Sequence, residues 1–280
     1  MLIEQLKNFV AQKRAENWPD FVIKNGLKEF LQFPVLAFIY NKPKYQNFIF
    51  IGGSALRIIY KLPRLSEDLD FNLSLEDYRA LDLKKMADEL KKYFKNDFSL
   101  DISTRVQGEE EPGPSRLYLK FPVLKELDLA KGSESDFLYV KIEPQVDNFS
   151  KIETEINPIS SFGFNFLIKS YSLKYLMTGK ISAILERAWF KGADNEIDIK
   201  GRDYYDLYWY LEKGVEPDFK ILKEKFSIAN MGELKKELAK KIDTDLTEKK
   251  LLFDLENFFP EQDFIKSFCL NYKEIIKKYL

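Results

Sequence analysis

Apolar residues recur at helical spacing from residue 4 to residue 40. Leu6, Phe9, Val10 and Ala11 stand among charges, and Val22, Ile23, Leu27, Phe30 and Leu31 follow before Pro34, as in helices that bury one face. The period then changes. Phe48-Ile49-Phe50-Ile51 is a short aromatic and branched run halted by Gly52-Gly53, which predicts a buried strand entering a tight turn. Leu56, Ile58, Ile59 and Tyr60 suit a short helix ending before Pro63, and Asp68-Leu69-Asp70-Phe71-Asn72-Leu73 alternates polar with apolar residues as a strand does. Residues 76–95 predict a helix with Leu81, Leu83, Met86, Leu90 and Phe94 inward and Lys84, Lys85, Lys91, Lys92 and Lys95 mostly outward. Strands are expected at 98–106, 115–121 and 137–143, with an acidic, proline-bearing loop at 109–114. From Pro158 to Leu280 the pattern reads as helical. The chain is therefore expected to be α/β (α+β), with a mixed-sheet core and leading helices in residues 1–160 and a helical domain in residues 161–280.

Composition narrows the chemistry. A chain of 280 residues, 45% hydrophobic, can bury a sizeable core. Its 44 Lys+Arg against 45 Asp+Glu give a formal net charge of -1, so any polyanion must be met by a local patch. The absence of histidine and the single Cys269 exclude histidine triads, imidazole-ligated zinc, disulfides and multi-cysteine metal sites. Catalysis must then use carboxylates, Lys, Tyr or Ser. No run approaches the roughly 18 apolar residues of a spanning helix, and the amino terminus lacks a signal pattern; a cytoplasmic protein with no membrane partner is expected.

Two constellations carry chemistry. Gly52-Gly53-Ser54 stands at a strand end and opens a helix, where freed backbone amides, the positive helix end and the Ser54 hydroxyl suit a phosphate. Turn glycines of this kind are also ordinary structural features. Asp68 and Asp70, at i and i+2 on a strand, point to one face, and like charges that close call for a cation between them. Oxygen ligands of this type suit magnesium, although an Asp-x-Asp pair also occurs on plain surfaces and in glycosyltransferases. The order strand, Gly-Gly-Ser, short helix, then Asp68 fourteen residues after Ser54 makes the phosphate cradle and the acids neighbours.

The segment from Gly52 through Ser66-Glu-Asp68-Leu-Asp70-Phe71 resembles the first motif of the AbiEii/AbiGii-type nucleotidyltransferase toxins, in the polymerase-beta-like superfamily. Leu173 to Arg187, containing Lys180, and Gly201-Arg-Asp203-Tyr-Tyr-Asp206-Leu207 resemble that family's lysine helix and Arg-Asp-x-x-Asp-Leu motif, with a polar linker between them at 188–201. The resemblance implies a polymerase-beta-like core, two Mg2+ ions, an NTP substrate, an RNA acceptor at the acceptor end of tRNA, and a cognate antitoxin in a type IV toxin–antitoxin or abortive-infection system. It also implies a third carboxylate on a later strand, for which Glu143 is chosen over Asp147, with Asp68 and Asp70 as the other metal ligands. Lys180 would meet the triphosphate, and Asp203 would orient Lys180 or the acceptor.

The residues themselves support part of this. Lys180 interrupts the apolar stripe Leu173, Met177, Ile184; it is either a snorkelling lysine or one that faces an anion, and if that anion is a ligand its removal costs little stability. Asp206 is expected to brace its helix through Arg202 or another base. Arg57 and Arg64 have the planar forks that suit triphosphate oxygens, Ser66 lies at the site edge, and Gly53 and Ser54 complete the expected nucleotide contacts. The aromatics Tyr204, Tyr205, Tyr208, Trp209 and Tyr210 read mainly as core. RNA would be steered by the lysines of residues 84–95 or by Lys235, Lys236, Lys240 and Lys241. Two competing readings are transfer to a protein hydroxyl or small molecule, and a non-catalytic binding module of the same fold.

Overall fold

The structure, a computed structural model of the chain, describes residues 2–108, 115–147, 152–186, 190 and 197–280. The acidic loop at 109–114 and most of the 188–201 linker lie outside the described residues. By compactness the chain divides into two units, Met1–Tyr171 and Ser172–Leu280.

The first unit opens with α1 (Leu2–Ala15) and α2 (Asp20–Tyr40). Strand β1 (Ile49–Ile51) runs into α3 (Gly52–Tyr60), and β2 (Asp68–Leu73) follows. The helix expected at 76–95 is two helices, α4 (Leu75–Ala80) and α5 (Leu83–Phe98), because the Asp82 side chain caps a new amino terminus by accepting from the Lys85 N–H. Strands β3 (Ser103–Gln107), β4 (Arg116–Pro122) and β5 (Phe137–Val146) come next. Strand β3 starts later than expected, since α5 extends through Phe98. Strand β5 runs on through Pro144, past the last residue paired with β4, where the strand has become an edge on that side.

The reading of helix from Pro158 onward is corrected. Residues 154–171 form a hairpin of β6 (Thr154–Ser161) and β7 (Phe164–Tyr171). Both turn residues have positive φ, Phe162 at 52° and Gly163 at 82°, as a two-residue hairpin turn of primed type requires. The unfavourable backbone at Phe162 is held by its ring, whose centroid is 4.4 Å from that of Phe30 and 4.9 Å from that of Phe33. This hairpin places the end of the first unit at Tyr171, beyond the boundary expected near residue 160.

The seven strands make one mixed sheet in the order β3-β4-β5-β2-β1-β7-β6. One face is apolar: Leu69, Phe71, Leu117, Leu119, Phe121, Leu138, Val140 and Ile142 are buried. Helices α2 and α5 cover it, as the Phe94–Phe121 and Tyr40–Phe166 ring contacts show. Alternation sends the intervening residues to the opposite face.

The second unit is helical: α6 (Leu173–Glu186), α7 (Gly201–Glu212), α8 (Phe219–Phe226), α9 (Met231–Asp245), α10 (Glu248–Leu255) and α11 (Gln262–Ile276). Tyr204, Tyr205, Trp209 and Tyr210 are buried. Tyr205 meets Phe259 and Phe268 edge-on, so this aromatic row is core. No helix among the described residues is long and apolar enough to cross a membrane.

Candidate active site

Strand β2 sits between β1, antiparallel, and β5, parallel. With Leu69 and Phe71 fully buried, Asp68, Asp70 and Asn72 must point to the other face. The register sets Asp68 beside Lys141, Asp70 beside Glu143, and Asn72 beside Gln145. Glu143, predicted from sequence as a strand-terminal acid, thus lies level with Asp70. Asp147 falls beyond the end of β5; its carboxylate bonds the Tyr171 hydroxyl and lies 3.4 Å from Asn72 Nδ2.

Two cations that sequence reasoning missed share this face. Lys141 Nζ is 3.2 Å from Asp68 Oδ2 and 3.3 Å from Glu143 Oε2. Arg116 Nε donates to Glu143 Oε1. The signal for Lys141 was its place two residues before Glu143, which puts both side chains on one face. Burial pushes the Glu143 carboxyl up, and the neighbouring Lys141 and Arg116 outweigh this, so its pKa lies below the usual glutamate value. Lys141 is held above the usual lysine value by Asp68 and Glu143, against the opposing effect of its own burial.

Gly52-Gly53-Ser54 forms the first turn of α3, directly after β1. Gly52 has φ of 76°, and a Cβ there would overlap Asp70 Oδ2. The Asp70 carboxylate therefore lies against the backbone at the positive end of α3, where negative charge is favoured. Gly52→Ala would force a side chain into the left-handed region, at about 1–2 kcal/mol, and would displace Asp70. We expect a purified G52A protein to fold with a lowered melting temperature and to lose most transfer activity; wild-type turnover would show that the position of Asp70 is not critical.

The remaining sequence candidates are engaged within the protein. Ser54 is fully buried and bonds the Asp68 carbonyl. Because that carbonyl only accepts, the single Ser54 proton goes to it, and the 2.9 Å contact between Ser54 and Ser66 uses the Ser66 proton. These two hydroxyls fasten α3 to the entry of β2. Arg57 Nε is 3.0 Å from Glu29 Oε2, and its Nη1 donates to the Leu62 and Pro63 carbonyls. Arg64, 2% exposed, packs over Gly53, whose Cβ would meet the guanidinium at 2.5 Å, and donates to the Leu65 carbonyl.

In the second unit Lys180 Nζ lies 2.7 Å from Asp203 Oδ1 and 2.7 Å from Asp206 Oδ2. Side-chain exposures of 12%, 4% and 0% make this a buried triad of one cation and two carboxylates. The base that meets Asp206 is therefore Lys180, while Arg202 bonds Asp254 through both its side chain and its backbone N–H. Protein carboxylates occupy Lys180, which changes the expectation that its removal would be neutral.

Asp68, Asp70 and Glu143 offer only hard oxygen donors, the set that suits magnesium. As the side chains stand, no three acids among the described residues are grouped closely enough to share an ion; the Lys141 ammonium bridges Asp68 and Glu143 instead. An ammonium held there shows that the acids draw a cation into that position, and the donor set fits.

A family described as nucleotidyl transferase AbiEii toxin, type IV TA system, matches residues 35–279, nearly the whole chain and both units. The chain belongs to the AbiEii family. An AbiEii chain is a nucleotidyltransferase-type toxin, and membership of a type IV toxin–antitoxin family implies a cognate antitoxin. No curated protein matches the sequence. Among solved structures, this AbiEii chain is similar to JHP933 from Helicobacter pylori, with 16% identity, TM-score 0.48 and 88% of each chain covered. It is also similar to a protein of H. pylori described as a candidate nucleotidyltransferase, with 14% identity and TM-score 0.47, over 88% of this chain and 91% of that one.

Proposed function

We propose that the chain is a magnesium-dependent nucleotidyltransferase toxin that acts in the cytoplasm, moving a nucleoside monophosphate from an NTP to a hydroxyl of RNA, at the acceptor end of tRNA. The observation that carries this reading is the placement of Asp70, level with Glu143 and against the glycine-opened amino terminus of α3, with Asp68 on the same face of β2 two residues before it. Asp68, Asp70 and Glu143 would hold the metal. When bound, magnesium would neutralise phosphate charge and orient the attacking hydroxyl and the departing pyrophosphate.

The chain's own residues divide the rest of the work. The amides at the start of α3 bind phosphate oxygens where the helix end is positive. Lys141 balances the charge of Asp68 and Glu143, and as a compact point charge on a flexible stem it would also suit a phosphate oxygen beside them. Arg116 holds Glu143 ionised and aimed. The buried Lys180–Asp203–Asp206 triad fixes the geometry of the second unit's motif.

Incubating the purified protein with each labelled NTP, magnesium, total RNA and a cell extract tests the reading. Label is expected in RNA and in one nucleotide's lane far above the others. Label confined to protein would replace the RNA acceptor with a protein hydroxyl, and absence of label with every NTP would make the chain a binding module.

A further inference from the structure

The face of the sheet that carries the acids continues outward over β5, β4 and β3. Register aligns three rows across it: Tyr139 with Lys120 and Ser103, Lys141 with Tyr118 and Arg105, and Glu143 approaching Arg116 and Gln107. The residues between them, Leu117, Leu119, Leu138, Val140 and Ile142, all turn to the buried side. Apart from Ser103, Gln107 and Glu143, what this face carries is rings interleaved with cations. Phe137 and Tyr139 are 37% and 41% exposed, and the Lys120 ammonium lies 5.9 Å from the Tyr139 ring centroid. Arg105 is exposed, and among the described residues no carboxylate pairs with it or with Lys120.

We infer that this face is a platform for single-stranded RNA, which lies across β3, β4 and β5 with its end at Asp68 and Asp70. The inference rests on the nucleotidyl-transfer reading above and names its acceptor surface. Exposed rings on a flat sheet stack unpaired bases, and cations between them meet the phosphates. The rows lead to the acids without interruption: Lys141 contacts Asp68 and is level with Tyr118. A duplex presents its bases edge-on and would leave the rings idle, whereas a polypeptide would not require a cation in each row.

The same geometry removes a surface that the sequence suggested. Helix α5 packs through Phe94 onto Phe121, on the apolar side of the sheet, so its lysines lie on the layer behind the site. Lys91 and Lys95 are also paired, with Asp88 and Asp101.

The test measures binding of a short fluorescent single-stranded RNA to the intact chain, together with transfer of label to that RNA. Tyr139→Ala and the double variant R105E/K120E are each expected to weaken RNA binding about tenfold. The charge variant should also flatten the salt dependence. Both should raise the acceptor KM while nucleotide binding stays unchanged. The α5 variant K84E/K91E/K92E should bind RNA as the wild type does. Unchanged RNA affinity in both face variants, or an equal loss in the α5 variant, would overturn the platform. Asp70→Asn separates the two readings, since it should abolish transfer and leave RNA binding intact. Transfer to protein by a wild type that binds no RNA would sink the platform while transfer stands. RNA binding that depends on Tyr139 and Arg105, with no label moved to any acceptor, would support the platform and defeat the transfer reading.

Discussion

Asparagine at either position 68 or 70 should lower nucleotidyl transfer on the order of a thousandfold, equivalent to about 4 kcal/mol of transition-state stabilisation, with the first unit still folded. The two acids differ in what they hold at rest. Asp68 pairs with Lys141 at 3.2 Å, and both side chains are partly exposed, so Asp68→Asn should cost about 1 kcal/mol or less of stability. Asp70 lies against Gly52 at the start of α3, where a neutral amide loses a modest interaction with the helix end. Neither change removes apolar packing, because Leu69 and Phe71 supply it from the other face. Labelled-NTP transfer at limiting magnesium, paired with thermal melts, checks both halves. Wild-type turnover by both variants would exclude these carboxylates from the reaction.

The largest stability effect is expected at Lys180. Replacing it with methionine keeps much of the stem's volume and leaves Asp203 and Asp206, 4% and 0% exposed, without the cation they share. Breaking such a buried group costs about 3–5 kcal/mol, a large share of the total stability of an ordinary domain. The triple variant K180M/D203N/D206N removes the stranded charges and should recover most of that loss. Transfer measured on the refolded triple variant then separates roles. Restored stability with no transfer would assign the triad a part in the reaction; restored transfer would leave it structural. A melting temperature unchanged in K180M would show that the three groups are not coupled as their distances indicate.

Much of the site was legible because it is local. The alternation of Asp68, Leu69, Asp70 and Phe71 names both the face and the core beneath it, and Gly52-Gly53 marks the strand-to-helix turn without reference to distant residues. Lys141 and Arg116 were harder to find, since their meaning depends on which strands pair and at what register. That is decided by long-range packing of β2 with β5 and of β5 with β4. The hairpin of β6 and β7 was hidden for a different reason. As an edge strand β6 carries Pro158, Glu155 and Asn157, and such residues blunt the very periodicity by which strands are recognised. The side of the sheet on which the α5 lysines would fall was likewise invisible, because periodicity gives a helix's inward face and not which layer it joins.

Strand β2 is clasped on both sides, by Ile51 opposite Asp70 and by Glu143 alongside it. Deleting Leu69 or Asp70 would break the two rows: with Phe71 kept in the hydrocarbon layer Asp68 would be driven into it, and with Asp68 kept out Phe71 would face water. Codon loss at either position should therefore yield an insoluble chain and not a folded, silent one. Among alleles altered within β2, cells escaping the toxin with a soluble product would do so by base substitution at the acids, so the spectrum of surviving alleles in this stretch would itself record the pleat of the strand.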